Sequence, residues 1–349
     1  MKQQHLLVFR FSSLGDVAMT VPVIQLLLEQ HPGLFVTVVS TEFMRPLFSD
    51  MERVQFHAAD LKGKHRGLPG LYRLYRELKS AYSFDAIADL HNVLRTKVLR
   101  TFFSLSGKPI SVIDKGRKEK KELTRPYGKK LRPLKTTFQR YADVFNSLGY
   151  PVDLEKPGGI KSPAIPGELS MLKQQGKLLV GIAPFALHRE KTYPPERMQE
   201  VIKLLNRNAN LKIYLLGGKK DAGVLDQWTL QYDNVESLAG KMDFEKELQY
   251  ISSFNLVVSM DSANMHLASM YGVPVVSVWG GTHPYLGFYG WKQPYDNAVQ
   301  VELECRPSSV FGNKPCRNHL KCMEMISPLV VYERIIRNLN LEHYEIPGR

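Results

Sequence analysis

Cysteine is scarce: the 349 residues hold only Cys305, Cys316 and Cys322, all in one late segment. Three clustered thiols cannot supply a disulfide framework for a chain of this length, so a reducing compartment is expected. Long apolar runs are missing as well. No stretch approaches the roughly 20 apolar residues of a membrane span, and "RFSSLGD" interrupts the apolar N-terminus too early for a signal-peptide core. A cytoplasmic protein is the expectation. Neither half carries three spaced glycines after its first strand, and no Walker A motif is present, which argues against a dehydrogenase or a P-loop enzyme.

What is present is a 44% hydrophobic, 23% charged composition, ordinary for a globular protein and long enough for two cores. The formal charge of +13 and pI near 9.5 call for an anionic partner. Residues 115–135, "KGRKEKKELTRPYGKKLRPLK", hold ten Lys or Arg against Glu119 and Glu122, so this one segment accounts for a net +8.

Short β-branched runs alternate with helical periodicity through the first half, the pattern of βαβ units on a mostly parallel sheet. Strands are expected over 6–11, 35–40, 54–59, 84–90 and 109–114, with helices over 68–82, 92–105 and 136–149. Residues 151–168, "PVDLEKPGGIKSPAIPGE", are rich in Pro and Gly and lack either period, as a connector does. The alternation then resumes, with strands over 177–185, 211–218, 235–240, 254–260 and 273–281 and a last helix near 328–340. The fold class is α/β: two Rossmann-like domains, 1–155 and 169–325, joined by a linker at 156–168 and followed by a C-terminal helix and tail, with ligands expected at the carboxyl ends of the strands.

Three places could carry chemistry. In "NLVVSMDSANMHLASMYGVPVVSVWG", a buried-type strand ends at Asp261 and a helix starts at Ser262; the N–H groups of Ser262, Ala263 and Asn264 make a seat for a diphosphate, with His266 one turn inside. The plain alternative is that Asp261 or Ser262 caps the helix and His266 packs on the sheet. Lys191, in "HREKTYPPER", lies on a loop at the same strand-end edge, where it is either a mobile charge for phosphate or a solvated lysine. Asp16, in "FRFSSLGDVAMTVPVIQLLLEQHPG", is either a first-turn anion, favoured by the helix dipole by about 0.3–1 kcal/mol, or a general base beside an acceptor hydroxyl.

"FRFSSLGDVAMTVPVIQLLLEQHPG", "KTYP" and "SMDSANMHLASMYGVPVVSVWG", in that order and at those intervals, resemble the ADP-heptose:lipopolysaccharide heptosyltransferases of glycosyltransferase family 9. The resemblance implies a GT-B architecture and an inverting, metal-independent transfer of heptose from ADP-heptose to a lipopolysaccharide core acceptor, with no cofactor. It makes Asp16 the general base, with Ser12, Ser13 and Gly15 shaping its turn, and gives Lys191 the charge on the departing ADP. Asp261 would hold sugar hydroxyls, Ser262, Ala263 and His266 the diphosphate, Met242 the adenine and Asp221 the ribose. The chain departs from the family at Ala186 and Leu187, where small hydroxyl residues are common, at Tyr193 in place of tryptophan, and at Ala263 where glycine or another small residue is usual.

The basic segment falls, by sequence, in the acceptor domain. Arg117, Lys118, Lys120 and Lys121 are expected to meet an anionic, lipid-linked saccharide or the inner-membrane leaflet that presents it, with Arg95 as a lesser contact; a solvated loop is the plain alternative. Cys305, Cys316, His319 and Cys322 could offer ligands to zinc or simply be buried or paired. Two rivals remain: a GT-B transferase for a UDP- or GDP-hexose, and a nucleic-acid-binding protein using the basic segment. Against the second, Tyr127 is the segment's one aromatic and no RNA-binding motif accompanies it.

Overall fold

The computed structural model describes residues 3–315 and 321–341. The chain divides into two compact units, one of residues 1–116 and 135–161, the other of residues 117–134 and 162–349.

In the first unit, strands β1 (Gln4–Phe9), β2 (Leu34–Ser40), β3 (Val54–Ala58), β4 (Ala86–Asp89) and β5 (Ile110–Val112) form a sheet in the order β3-β2-β1-β4-β5. The second unit repeats the plan with β6 (Leu178–Ala183), β7 (Leu211–Leu215), β8 (Val235–Ser237), β9 (Leu256–Met260), β10 (Val275–Val278) and β11 (Ala298–Val299), in the order β11-β10-β9-β6-β7-β8. Every strand pairing described is parallel. Parallel strands covered on both faces read as continuous apolar runs, and Leu6–Phe9 of β1 and Leu256–Met260 of β9 are fully buried accordingly. This is the two-unit α/β fold that the alternation of strands and helices implies, and it agrees with the GT-B type that the family resemblance implies.

The helices that position function are α1 (Leu14–Ala18) and α2 (Thr20–Gln30) after β1, α3 (Gly67–Ala81) after β3, α4 (Leu94–Ser104) after β4, α5 (Arg117–Leu123) and α6 (Thr137–Asn146). The second unit adds α7 (Gly167–Gln174), α8 (Pro195–Asn206), α9 (Ala222–Thr229), α10 (Phe244–Ser253), α11 (Ala263–Met270), α12 (Lys321–Glu324) and α13 (Pro328–Asn338). Their spacing explains them. In α3, Leu71, Leu74, Tyr75 and Leu78 recur at i, i+3, i+4 and i+7 and are the buried face. Thr136 caps α6, its hydroxyl accepting from the Gln139 N–H while Gln139 accepts from the Thr136 N–H. The C-terminal helix is no appendage: Val331, Tyr332, Ile335 and Ile336 of α13 belong to the same core as β6, β7 and β9.

The basic segment departs from its expected place. Residues 117–134 lie within the first unit by sequence but pack with the second. Leu123 and Leu134 are buried against Leu286, the Leu134 N–H donates to the Tyr285 carbonyl at 2.9 Å, and Lys129 Nζ donates to the Pro307 carbonyl at 3.0 Å. The first part is the helix α5 rather than a loop. Charge composition cannot reveal this, because the anchoring partners lie some 150 residues later in the chain. Removing the Leu286 side chain should cost about 2–5 kcal/mol of local stability. In Leu286→Ala, limited trypsin digestion should therefore cut residues 117–132 well before the rest of the chain; cleavage as slow as in the parent protein would show that the segment is held some other way.

Candidate active site

In the first unit the sheet order reverses between β1 and β4, the point where open α/β sheets bind ligands. The chain leaves β1 through Arg10 and Phe11. Arg10 is 5% exposed, with Nη1 donating to the Leu90 carbonyl at 2.8 Å and Nη2 lying 2.5 Å from Asp16 Oδ2. Asp16 is the third residue of α1, and its Oδ2 also accepts from the Ser13 hydroxyl at 2.8 Å and, at 3.4 Å, from the Ser13 N–H. Asp16 thus does the work of a helix-start acid while its side chain stays 28% exposed. Ser12 and Ser13 are exposed, Gly15 is half-buried in the first turn, and the Tyr141 hydroxyl fixes the Asp16 carbonyl at 3.1 Å.

From β4 comes a second cluster. Asp89 is wholly buried; its Oδ1 accepts from the N–H groups of His91 (2.9 Å) and Asn92 (2.8 Å), and Arg100 Nε lies 3.1 Å from Oδ2. This Asx-type turn delivers His91. His91 is 8% exposed, its Nδ1 accepting from the Phe11 N–H at 3.3 Å. Burial, with Arg10 and Lys115 nearby, pushes its pKa down to about 3. Arg95 is exposed on the first turn of α4.

In the second unit the order reverses between β6 and β9. Lys191 ends a single 3₁₀ turn after β6, and Asp261 follows β9; Lys191 Nζ lies 2.9 Å from Asp261 Oδ2, with side chains 17% and 5% exposed. The same oxygen accepts from the Thr282 hydroxyl at 2.7 Å, from the loop after β10. Gly312 backs Lys191 at φ +68°, where a Cβ would stand 2.6 Å from Lys191 Cγ. Ser262 takes the N-cap position of α11 without a side-chain capping bond, its Oγ instead lying 3.0 Å from Ser259 Oγ; Ala263 opens the helix and His266 is buried one turn in. Met242 is half-buried in the loop after β8. Asp221 precedes α9, its Oδ2 accepting from the Gly218 N–H at 3.0 Å, a turn-forming duty. Lys191, Asp221, Met242, Asp261 and Thr282 therefore follow β6, β7, β8, β9 and β10 at one edge of a parallel sheet.

The expected acceptor cluster divides. Arg117, Lys118 and Lys121 are exposed on α5, but Lys120 is 6% exposed with Nζ 3.9 Å from the Phe288 ring centroid, a cation–π contact rather than a free charge. Cys316 and His319 lie outside the described residues; Cys305 is half-buried and Cys322 buried, and among the described residues no group of three or more His, Cys, Asp or Glu is arranged to hold a metal. Tyr193, at the family's tryptophan position, is fully buried, its hydroxyl donating to the Ile326 carbonyl at 2.7 Å.

Sequence reasoning missed Arg10, His91, Thr282, His283 and Arg306. For Arg10, His91, Thr282 and His283 the one available signal was position, just past an apolar strand run; Arg306, seven residues beyond the two-residue β11, carried none. Arg306 is buried and donates to the carbonyls of Gly280 (2.6 Å), Val301 (2.5 Å) and Thr282 (3.0 Å), fixing the loop that carries Thr282. His283 is 1% exposed, accepts from the Tyr285 N–H through Nδ1 at 3.1 Å, and is held to about 4 by burial and by the charges of Arg306 and Lys129. A histidine whose pKa is lowered on folding favours the fold fully above its unfolded value near 6.5 and withdraws that support as pH falls toward about 4. In His283→Gln, the loss of urea stability between pH 7 and 4 should be shallower than in the parent; parallel curves would remove this linkage.

The sequence model of glycosyltransferase family 9 (heptosyltransferase) matches residues 71–318. Lipopolysaccharide core heptosyltransferase OpsX of Haemophilus influenzae is 24% identical over 321 residues, covering 88% of each chain. Among solved structures, a glycosyl transferase family 9 protein from Veillonella parvula superposes with a TM-score of 0.75 at 20% identity, over 97% of this chain and 98% of that one. The E. coli heptosyltransferase WaaC with ADP does so with a TM-score of 0.68 at 20% identity, over 96% and 100%. With the family model spanning more than two thirds of the sequence and the same two-unit fold throughout, this chain belongs to glycosyltransferase family 9, the heptosyltransferases, and is a glycosyltransferase.

Proposed function

We propose that this enzyme transfers a heptose from ADP-heptose to a lipopolysaccharide core saccharide, with inversion and without a metal. The observation that carries the reading is the pairing at the two sheet reversals: a half-exposed carboxylate, Asp16, held by buried Arg10, and a lysine, Lys191, held ready by Asp261. The relatives' names support these substrates: a lipopolysaccharide core for OpsX, and for WaaC complexes with ADP and with ADP-2-deoxy-2-fluoro heptose.

In this reaction Asp16 takes the proton of the acceptor hydroxyl as that oxygen bonds to the anomeric carbon. The bond from that carbon to the ADP oxygen breaks, its electron pair leaving with the diphosphate, and displacement from the opposite face inverts the centre. Lys191 exchanges Asp261 for the departing phosphate, where a preorganised cation counts most. Asp261, released, accepts hydrogen bonds from heptose hydroxyls beside Thr282. The helix start at Ser262, Ala263 and His266 takes the diphosphate, and Met242 and Asp221 take the adenosine. Ser12, Ser13 and Gly15 shape the Asp16 turn, while the exposed cations Arg95, Arg117, Lys118 and Lys121 attract the anionic acceptor and the cytoplasmic leaflet that carries it, at roughly 1 kcal/mol each near such a surface.

No helix among the described residues is long and apolar enough to cross a membrane. Under this reading, Asp16→Asn lowers kcat by about 10²–10⁴-fold with ADP binding intact, and Lys191→Ala lowers it by about 10²–10³-fold. Near-normal turnover in Asp16→Asn would leave the carboxylate as a helix-start anion only. ADP should raise the melting temperature more than UDP or GDP; a preference for UDP would replace the donor.

A further inference from the structure

Asp16 is not the only group that the β1–β4 reversal holds in place. Arg10, through its side chain, and Phe11, through its main chain, hold two side chains at once. Arg10 reaches Asp16 with Nη2 and the Leu90 carbonyl with Nη1, and the neighbouring Phe11 N–H donates to His91 Nδ1. His91 is fixed from below by the buried Asp89, which accepts from its N–H at 2.9 Å, and from the side by the Phe11 ring, 5.8 Å between centroids. A histidine whose Nδ1 accepts a hydrogen bond carries its proton on Nε2. That nitrogen has no protein partner among the described residues and, although the residue is 92% buried, is not itself closed off from solvent. The result is one rigid N–H donor within reach of a ligand, in the electrostatic company of Arg10, Lys115, Asp16 and Arg95. Three cations around one carboxylate and one neutral donor suit an oxygen-rich, anionic ligand.

We propose that His91 binds the acceptor saccharide, its Nε2–H donating to an oxygen of the same sugar whose hydroxyl Asp16 deprotonates. This rests on the assignment of Asp16 as base. The low pKa agrees with it, because the ring stays neutral across the working range and so keeps one donor without competing for the proton that Asp16 removes. His91 orients the acceptor; Asp16 performs the proton transfer.

Two amides separate the two ring nitrogens. Asn at this position places an oxygen where Nδ1 stands and retains the Phe11 contact without a donor at the Nε2 position; Gln places an N–H near Nε2. The measurement is steady-state transfer from ADP-heptose to O-deacylated lipopolysaccharide from heptose-deficient cells. His91→Asn should raise the acceptor KM about tenfold, the value of one lost neutral hydrogen bond, with donor KM and kcat within about twofold. His91→Gln should restore most of that loss, and the acid limb of the pH–rate profile should be the same in all three proteins. Thermal melts of both variants check folding. An unchanged acceptor KM in a folded His91→Asn, or an equal loss in His91→Gln, would overturn the assignment. Should Asp16→Asn retain turnover, the base falls, while the acceptor KM of His91→Asn still reports on His91 separately.

Discussion

Both sheets are parallel throughout, and this one constraint arranges everything that follows. A parallel strand must be followed by a crossover, so each βα connection emerges at the same edge, and the strands on either side of the point where the order reverses leave a gap there that no connection covers. In the first unit that gap lies between β1 and β4 and receives Arg10, Asp16 and His91. In the second it lies between β6 and β9 and receives Lys191 and Asp261, with Thr282 arriving from the next strand. Within each unit, residues 81 (Arg10 to His91) and 91 (Lys191 to Thr282) positions apart in sequence are brought to one place because the strands that deliver them are neighbours.

At both reversals a carboxylate is paired with a cation. Such a pair contributes little net stability, since the desolvation of both groups offsets most of their attraction, but loss of one partner leaves a costly unpaired charge. The arrangement therefore serves geometry more than stability. Arg10 is itself fixed by the Leu90 carbonyl, and the loop of Thr282 is fixed by Arg306 through three backbone carbonyls. Buried guanidinium groups thus act as frames, holding the turn of Asp16 and the loop of Thr282. Lys191 differs: it is a single ammonium on a flexible stem, 17% exposed, and able to exchange one oxygen partner for another.

The basic segment shows how charge and packing divide a short stretch. Leu123 and Leu134 tie residues 117–134 to Leu286, and Lys120 spends its charge on the Phe288 ring, while Arg117, Lys118 and Lys121 on the same helix face solvent. A run that is uniformly cationic in sequence is thereby sorted into one packed cation and a solvent-facing set.

The sequence by itself determined the alternation of strands and helices, since apolar runs and the 3.6-residue period are local properties: ten of the eleven strands, helices such as α3 and α13, and the strand-end placement of Asp16, Lys191 and Asp261 were all legible. The two-residue β11, the short α5 and α12, and the packing of α13 into the core were not, because short elements carry no period and partners are chosen over long range. Only the tertiary structure decided that Arg10 meets Asp16, that Thr282 and Lys191 share one oxygen of Asp261, that the basic segment joins the second unit, and that His91 is held through Nδ1 by the Phe11 N–H. Local preference is written residue by residue, whereas a hydrogen bond between positions 11 and 91 exists only once the sheet has set β1 beside β4.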